Sequence, residues 1–331
     1  MVLVRGGATR YGSGAMDPVE ALRQLSVPSM PRRAPPGLPA DLPWLEVAEL
    51  AAVHGLAPVV SYNVQYVLGS AGVPEEVCDR LLGYYQGTLD DNVFKLVHLK
   101  RVLDGAKGAP VLLVECAAYA DALYPHVAFR PLPDLRVLAR RADFQLLAAA
   151  AQPHGFLPHG LEEGAMVLTD GRVRILLHET LAGEAMDLGA WERGIPAPVF
   201  GQGTRRPAIE DAVVFHVAVL ARAAFASPLV AFVDLRELAL GSPSHAAVWT
   251  KRPDAATVRE RARVAGLTRA LWAGCALTAR LFPSAAEAVG ALAPELSAEE
   301  KRALEETVVA PGMVLLPDRP RDLEAARRAL G

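Results

Sequence analysis

The sequence contains few cysteines, few aromatic residues and no long hydrophobic run. Its three cysteines, Cys78, Cys116 and Cys275, are odd in number and lack the paired spacing of a zinc site or a disulfide framework. They favour a reducing compartment, and we expect the cytoplasm. No run of about 18 or more apolar residues occurs, so a membrane-spanning helix is not expected.

Neither sign of charge dominates the sequence. The 34 Lys and Arg residues are balanced by 37 Asp and Glu residues, which gives a net charge of -3. A general nucleic-acid binder with a strongly basic field is therefore not expected. Hydrophobic residues make up 52% and charged residues 21% of the 331 residues, the mixture of a globular protein with one large domain or two smaller ones.

The amino-terminal segment differs from the rest of the chain. Residues 1–16 lack both a regular period and the apolar run of a secretory signal, so we exclude them from the fold, and a translation start at Met16 is one alternative. A short amphipathic helix is expected from Asp17. Six prolines between residues 28 and 43 then favour a linker or, alternatively, a ligand for a partner protein. Residues 1–43 are thus predicted to be disordered or proline-rich.

Helical periodicity begins after the prolines. Asp41 is expected to cap a helix that Gly55 ends, and a long helix is predicted over 75–104. Apolar residues three and four apart should form one buried stripe on this long helix, namely Val77, Leu81, Tyr85, Leu89, Val93, Leu96, Leu99 and Leu103.

The pattern then changes to that of strands. Short apolar runs predict strands at 110–114 and 135–139, and those at 166–168 and 173–177 flank an Asp-Gly pair typical of a hairpin. Helices are predicted again over 208–225, 229–240, 254–265, 267–282 and 297–308. This order predicts an α+β fold with a small mixed sheet flanked by amino-terminal and carboxyl-terminal helical layers. We expect a helical lead-in and α/β core over 44–206 and a helical region over 207–331.

One stretch carries a resemblance to a known family. Residues 115–138, ECAAYADALYPHVAFRPLPDLRVL, resemble without a gap a core motif with a Lys-Gly pair, a helix, Tyr-Pro, Arg-Pro and then Asp-hydrophobic-Asp on a strand. Residues 54–58, HGLAP, and 233–235, VDL, resemble two further segments of the same family. The family is the uncharacterised nucleotidyltransferase-like family. The resemblance covers about residues 44–283 and implies the polymerase-beta-like nucleotidyltransferase fold.

The resemblance implies nucleotidyl transfer from a nucleoside triphosphate, with divalent metal ions held by two or three strand carboxylates. The chain departs from this pattern. Asp134 keeps the first carboxylate, but Arg136 occupies the second position. Leu176 stands at the third, two residues before His178. Magnesium should bind poorly, because the guanidinium stays protonated beside Asp134. No metal, nucleotide or other cofactor is therefore expected, and Mg²⁺ with a nucleoside triphosphate is expected only if the site is active.

Two more family positions have changed. Glu115 stands where the family has lysine, and Cys116 where it has glycine. Because lysine has become glutamate while aspartate has become arginine, we predict an ion pair between Glu115 and Arg136. Cys116 is predicted to be a small buried residue rather than a nucleophile, since its nearest charge is negative. His216 is predicted to be a core or surface histidine rather than a metal ligand.

The two-residue strand period predicts a cationic face. Arg172, Arg174, Leu176 and His178 should share it, and Arg136 and Arg130 are expected nearby. Such a face would hold an anion, such as a phosphate or an acidic peptide, without a metal. The alternatives are a solvated strand face and a structural role for Arg130 at the turn before Pro131. Glu162, Glu163 and Glu179 are candidates for rebuilding a metal site with Asp134, although Glu179 has the opposite strand parity from His178.

Three functional hypotheses follow. We expect a catalytically degenerate nucleotidyltransferase-fold protein, not an enzyme, that binds or scaffolds a protein or peptide partner. In the first alternative, an active nucleotidyltransferase uses Asp134 as metal ligand together with Glu115 and His178. In the second, the domain is a metal-free anion or peptide binder.

Overall fold

The computed structural model describes residues 16–28, 38–39, 41–106, 108–241, 248–310 and 322–331. The α-helices in these ranges are α1 (Pro18–Leu25), α2 (Trp44–Val53), α3 (Ala57–Tyr62), α4 (Glu75–Gly105), α5 (Cys116–Tyr119), α6 (Phe144–Ala151), α7 (Glu184–Arg193), α8 (Ile209–Arg222), α9 (Leu229–Leu240), α10 (Ala255–Val264), α11 (Thr268–Leu281), α12 (Ala286–Leu292), α13 (Ala298–Leu304) and α14 (Leu323–Leu330). The strands are β1 (Val111–Val114), β2 (Leu135–Ala139), β3 (Leu157–Glu162), β4 (Ala165–Thr169), β5 (Arg174–His178), β6 (Ile195–Pro196) and β7 (Thr204–Arg206). None of the helices in the described ranges is long and apolar enough to span a bilayer.

The described part of the amino-terminal segment contains the predicted short helix. Asp17 caps α1 by accepting a hydrogen bond from the Val19 amide at 3.0 Å, and Pro18 occupies the first turn. Leu22 and Leu25 are fully buried, so α1 packs into the core. The predicted proline-rich linker lies mostly outside the described residues.

The prediction that Asp41 caps α2 is wrong. The helix begins at Trp44, and Pro43 occupies the capping position without a side-chain hydrogen bond. Proline tolerates the position because its missing N–H would have no partner in the helix. Gly55 ends the segment as predicted, with φ +69, a conformation that glycine adopts without steric cost.

Helix α4 has the predicted length, but only the ends of its apolar stripe are buried. Val93 is 46% exposed, whereas Asn92 and Lys95 are buried in its place. Asn92 donates hydrogen bonds to the carbonyls of Val127 at 2.7 Å and Arg130 at 2.9 Å. The long helix therefore holds the loop before β2 through polar contacts as well as apolar ones.

The seven strands form one mixed sheet in the order β3-β4-β5-β2-β1-β7-β6. Strand β2 lies antiparallel to β1 and parallel to β5, and the β4–β5 hairpin turns through Gly171 at φ +90. The predicted α+β class is confirmed. Sequence analysis missed β3, whose six residues are all exposed, and the very short β6 and β7.

One large cluster of buried side chains joins the sheet to the helices that precede and follow it. The cluster extends from Ala21 in α1 to Ala326 in α14 and includes every residue of β1. Helix α9 is buried along almost its whole length. Ser297 and Glu300 form a capping box at the start of α13. The division between residues 206 and 207 stays a prediction.

Replacing Asn92 with alanine should destabilise the protein. The substitution leaves the buried amide of Leu132, which donates to Asn92 Oδ1 at 3.1 Å, and two buried carbonyls without partners. We expect a loss of about 3 kcal/mol in the free energy of unfolding. Chemical denaturation measures this loss, and Asp90→Ala on the exposed side of α4 is the control. An equal effect of both substitutions would contradict the role of Asn92.

Candidate functional site

Three adjacent strands bring the predicted carboxylate positions to one face of the sheet. Arg136 of β2 lies opposite Val114 of β1 and opposite Leu176 of β5. Directly opposite residues share a face, as do alternate residues along one strand, so Asp134 and His178 point to the same side. We call this set the degenerate face: Asp134, Arg136, Arg174, Leu176 and His178.

Acidic residues neutralise both arginines of the degenerate face. Arg136 Nη1 donates to Glu163 Oε2 at 3.0 Å, and Arg136 Nη2 lies 3.9 Å from Asp134 Oδ2. Arg174 Nε lies 3.6 Å from Asp134 Oδ1, and Arg174 also pairs with Glu162. The carboxylate of Asp134 is therefore shared by two guanidinium groups.

A tight hairpin delivers Glu162 and Glu163, which we call the acidic tip. Glu162 pairs with Ala165 across β3 and β4, so Glu163 and Gly164 form a two-residue turn with φ +50 and +79. Two positive φ values are typical of a type I′ turn. The Glu163 side chain is 57% exposed, whereas that of Arg136 is only 17% exposed. The exposed Glu163 side chain thus pairs with an arginine that is mostly shielded from solvent.

The predicted ion pair between Glu115 and Arg136 is wrong. Glu115 is buried, and its Oε1 accepts a hydrogen bond from the Tyr119 hydroxyl at 3.1 Å. Its Oε2 lies 3.3 Å from Nδ1 of His216 on α8. Residue 115 has φ +53, which is outside the extended region, so the side-chain alternation of β1 does not continue to it. The carboxylate consequently faces the helices.

The contact between Glu115 and His216 is a buried ion pair. His216 Nε2 lies 2.7 Å from the carbonyl oxygen of Ala231, which only accepts, so Nε2 carries a proton while Nδ1 faces the carboxylate. Burial lowers the pKa of His216, but attraction to Glu115 and the hydrogen bond with it outweigh burial and raise the pKa. Burial raises the pKa of Glu115, and His216 then lowers it below its usual value. Each group therefore favours the charged form of the other.

His178 is buried on the degenerate face without a partner. It is 1% exposed, and its Nε2 has no hydrogen-bond partner among the residues that the structure describes. Burial, followed by the charges of Arg136 and Arg222, lowers its pKa to about 4, so the ring is neutral. Arg222 ends α8 and donates a hydrogen bond to the carbonyl of Leu181. Sequence analysis contained no signal that would place Arg222 beside this histidine.

The residues of the degenerate face do not fit a divalent metal ion. Mg²⁺ prefers several oxygen ligands, but Asp134 is shared by two arginines, and Arg136 brings a positive charge instead of an oxygen ligand. Leu176 packs with Ala165 and Val167 in a small apolar cluster at the third position. In the described ranges, no group of three His, Cys, Asp or Glu side chains is arranged to hold a metal.

Arg130 lies away from the degenerate face and has the structural role given as the alternative. Its Nε donates to Asp234 at 2.9 Å, and its Nη1 donates to the carbonyl of Pro131 at 2.7 Å. The Tyr124 hydroxyl donates to the same aspartate at 2.5 Å. The Tyr-Pro, Arg-Pro and Val-Asp-Leu segments that carry the family resemblance thus meet in one buried cluster.

The prediction that Arg172 shares the cationic face is wrong. Strand β5 begins at Arg174, and Asp170 accepts hydrogen bonds from the amides of the turn, including that of Arg172 at 2.8 Å. Strand parity therefore does not extend to residue 172. The guanidinium carbon of Arg172 lies 3.8 Å from the ring centroid of Phe94 on α4.

Cys116 is buried, as predicted. Burial raises the pKa of its thiol to about 11, and the negative charges of Asp234 and Glu115 act in the same direction. The thiol is therefore protonated at neutral pH and is a poor nucleophile.

Replacing Glu115 with glutamine should destabilise the protein strongly. The change removes the charge that favours protonated His216 and alters the buried hydrogen bonds of residue 115 with Tyr119 and His216, and we expect a loss of about 1.5–3 kcal/mol in the free energy of unfolding near neutral pH. Chemical denaturation provides the measurement. Glu162→Gln, which removes a half-exposed pair, is the matched control and should cost at most about 1 kcal/mol. Similar losses in the two variants would contradict the buried ion pair.

The same ion pair should make stability depend on pH. Because the pKa of His216 is raised by folding, its contribution is complete below the unfolded value of 6.5 and is lost as pH rises through the folded pKa. The contribution of Glu115, whose pKa is lowered, is present above 4.5 and is lost as pH falls through the folded pKa. Denaturation midpoints should therefore fall more steeply above pH 6.5 in the wild type than in His216→Gln. Parallel pH profiles would refute this assignment.

The chain is similar to one known family. A family model described as an uncharacterised nucleotidyltransferase matches residues 40–283, a range that contains the whole sheet and the helices from α2 to α11. No curated protein and no solved structure matches the chain. The match covers well over half of the sequence and includes the three segments that carry the resemblance, residues 54–58, 115–138 and 233–235. The chain therefore belongs to the uncharacterised nucleotidyltransferase family.

Proposed function

We propose that this member of the family is catalytically inactive and acts by binding or scaffolding a partner. The observation that carries the proposal is the position of Arg136. It stands at the second carboxylate position and is paired with Glu163 and Asp134. The proposed partner is a protein or peptide, and the free state of all three cysteines is in keeping with a reducing compartment such as the cytoplasm.

The interaction energies of a divalent ion with the charges around Asp134 support the proposal that no metal binds there. At an effective dielectric constant of about 20, a divalent ion about 4 Å from one unit charge has an interaction energy of roughly 8 kcal/mol. The attraction to Asp134 and the repulsion from Arg136 would thus nearly cancel. A second guanidinium, that of Arg174, lies 3.6 Å from the same carboxylate and adds to the repulsion. No net attraction remains to offset dehydration of the ion.

An active enzyme with an altered site is less well supported by the geometry. That alternative needs Glu115 beside Asp134 and His178. Glu115 instead accepts a hydrogen bond from Tyr119 and contacts His216. Rotating its side chain towards Asp134 would break both buried contacts. The discriminating observation is metal-dependent product formation that disappears in Asp134→Ala.

Titration calorimetry with ATP, CTP, GTP and UTP in magnesium tests the proposal. We expect no metal-dependent binding and no release of pyrophosphate by the wild type. The double substitution Arg136→Asp with Leu176→Asp restores three carboxylates and should bind Mg²⁺ or Mn²⁺ measurably more tightly, with Leu176→Asp alone as the matched control. Turnover of any triphosphate by the wild type, abolished in Asp134→Ala, would overturn the proposal.

A further inference from the structure

We propose that the degenerate face binds a phosphate group without a metal, through Arg136, Arg222 and His178, and that Glu163 occupies Arg136 when no ligand is bound. This inference rests on the proposed function, since a phosphate on Arg136 presupposes that metal-dependent catalysis does not take place there. The ligand is a small phosphate monoester. Three features of the site support this assignment.

The first feature is the unused hydrogen-bonding capacity of Arg136. A guanidinium carries five N–H donors in a planar fork that matches carboxylate and phosphate oxygens. Arg136 donates to Glu163 at 3.0 Å, while its 3.9 Å contact with Asp134 is too long for a hydrogen bond. The side chain is 17% exposed, so its remaining donors lie in a partly desolvated position where an anion is held strongly.

The second feature is the unpartnered imidazole of His178. It is 1% exposed and lies on the same side of the sheet as Arg136, two residues beyond the residue that faces Arg136 across the strands. Its Nε2 has no protein partner in the described part of the chain. Buried polar atoms normally have a partner, and a neutral imidazole offers one N–H that can donate to a phosphate oxygen.

The third feature is Arg222, which connects the degenerate face to a cavity. Burial and the neighbouring charge of Arg136 both lower the pKa of Arg222, so the two cations act on one another. Arg222 also lines a cavity of about 370 Å³ together with Ala182, Gly183 and Ala218. This volume lies in the range of small-molecule sites. The phosphate would meet the guanidinium groups, and the rest of the ligand would enter the cavity.

Glu163 has the properties of an internal competitor. Its carboxylate resembles a phosphate in accepting from a guanidinium, but it carries a single charge and sits on an exposed two-residue turn. Ion pairs with such an exposed partner contribute little to stability. A phosphate dianion interacts more strongly with two arginines, and displacing the Glu163 side chain does not require any change in the core.

Isothermal titration of the full chain in the presence of EDTA tests the proposal, with inorganic phosphate and adenosine 5′-monophosphate as probes. Glu163→Gln should bind phosphate about fivefold more tightly than the wild type, which corresponds to about 1 kcal/mol. The matched control is Glu162→Gln, because Glu162 pairs with Arg174 rather than with Arg136. This control should change the affinity less than twofold.

Two further variants keep the test decisive. Arg136→Gln should abolish phosphate binding, and Arg222→Gln, which keeps an N–H donor for the carbonyl of Leu181, should weaken it about tenfold. Equal affinity for the two probes means that the phosphate alone is recognised, and tighter binding of the nucleotide means that the cavity holds the rest of the molecule. Both outcomes support the site.

The contradicting results are equally clear. The proposal is overturned if neither probe binds Glu163→Gln, if this variant binds no more tightly than Glu162→Gln, or if binding survives in Arg136→Gln. Failure of the proposed function looks different, because it requires magnesium-dependent turnover of a triphosphate. If the protein neither binds phosphate nor turns over a triphosphate, the proposed phosphate site is refuted and the proposed function is not.

Discussion

The need to pair buried charges governs the layer between the sheet and the carboxyl-terminal helices. Two carboxylates, Glu115 and Asp234, are almost completely buried there, and each is paired with a cation from elsewhere in the chain. His216 on α8 neutralises the first and Arg130, before β2, neutralises the second. An unpaired charge in this position would cost several kcal/mol. The two pairs therefore fix how α8, α9 and the loop before β2 pack on β1.

The same electrostatic rule has a different outcome on the more exposed degenerate face, around the central strand β2. Around Asp134 the charges are neutralised by residues from the acidic tip, which remain half exposed. Solvent can replace these partners at little cost, whereas it cannot replace those in the core. The buried pairs consequently serve the fold, while the exposed pairs leave the degenerate face open to a competing anion. Arg130, whose ion pair with Asp234 is buried, and Arg136, whose partner Glu163 is exposed, thus lie close together in the sequence.

Features set by local periodicity could be predicted from the sequence. The bounds of β2 and α9 agree with the sequence pattern, and the placement of Arg174 and His178 on one face of β5 follows from strand alternation. The partners of these side chains could not be predicted. Glu115 and His216 are 101 residues apart, and their meeting depends on how α8 docks.

The acidic tip shows a second limit. Glu163 reaches Arg136 only because β3 and β4 form a hairpin, and β3 has no buried residue to create an alternating pattern. Pro158 and Gly160 within it further weaken the strand signal. Charged residues near a site can be identified from sequence, but which of them pair depends here on β3, a strand without a clear sequence pattern.

The unusual backbone at residue 115 restricts how this chain can change. A residue other than glycine is tolerated at φ +53 there because Tyr119 and His216 hold the Glu115 carboxylate in place. A lysine at position 115 would put its ammonium group beside protonated His216 in the core. Position 216 would have to lose its charge beforehand. The charge that residue 115 can carry is therefore coupled to that of residue 216, and the two positions are not free to vary independently.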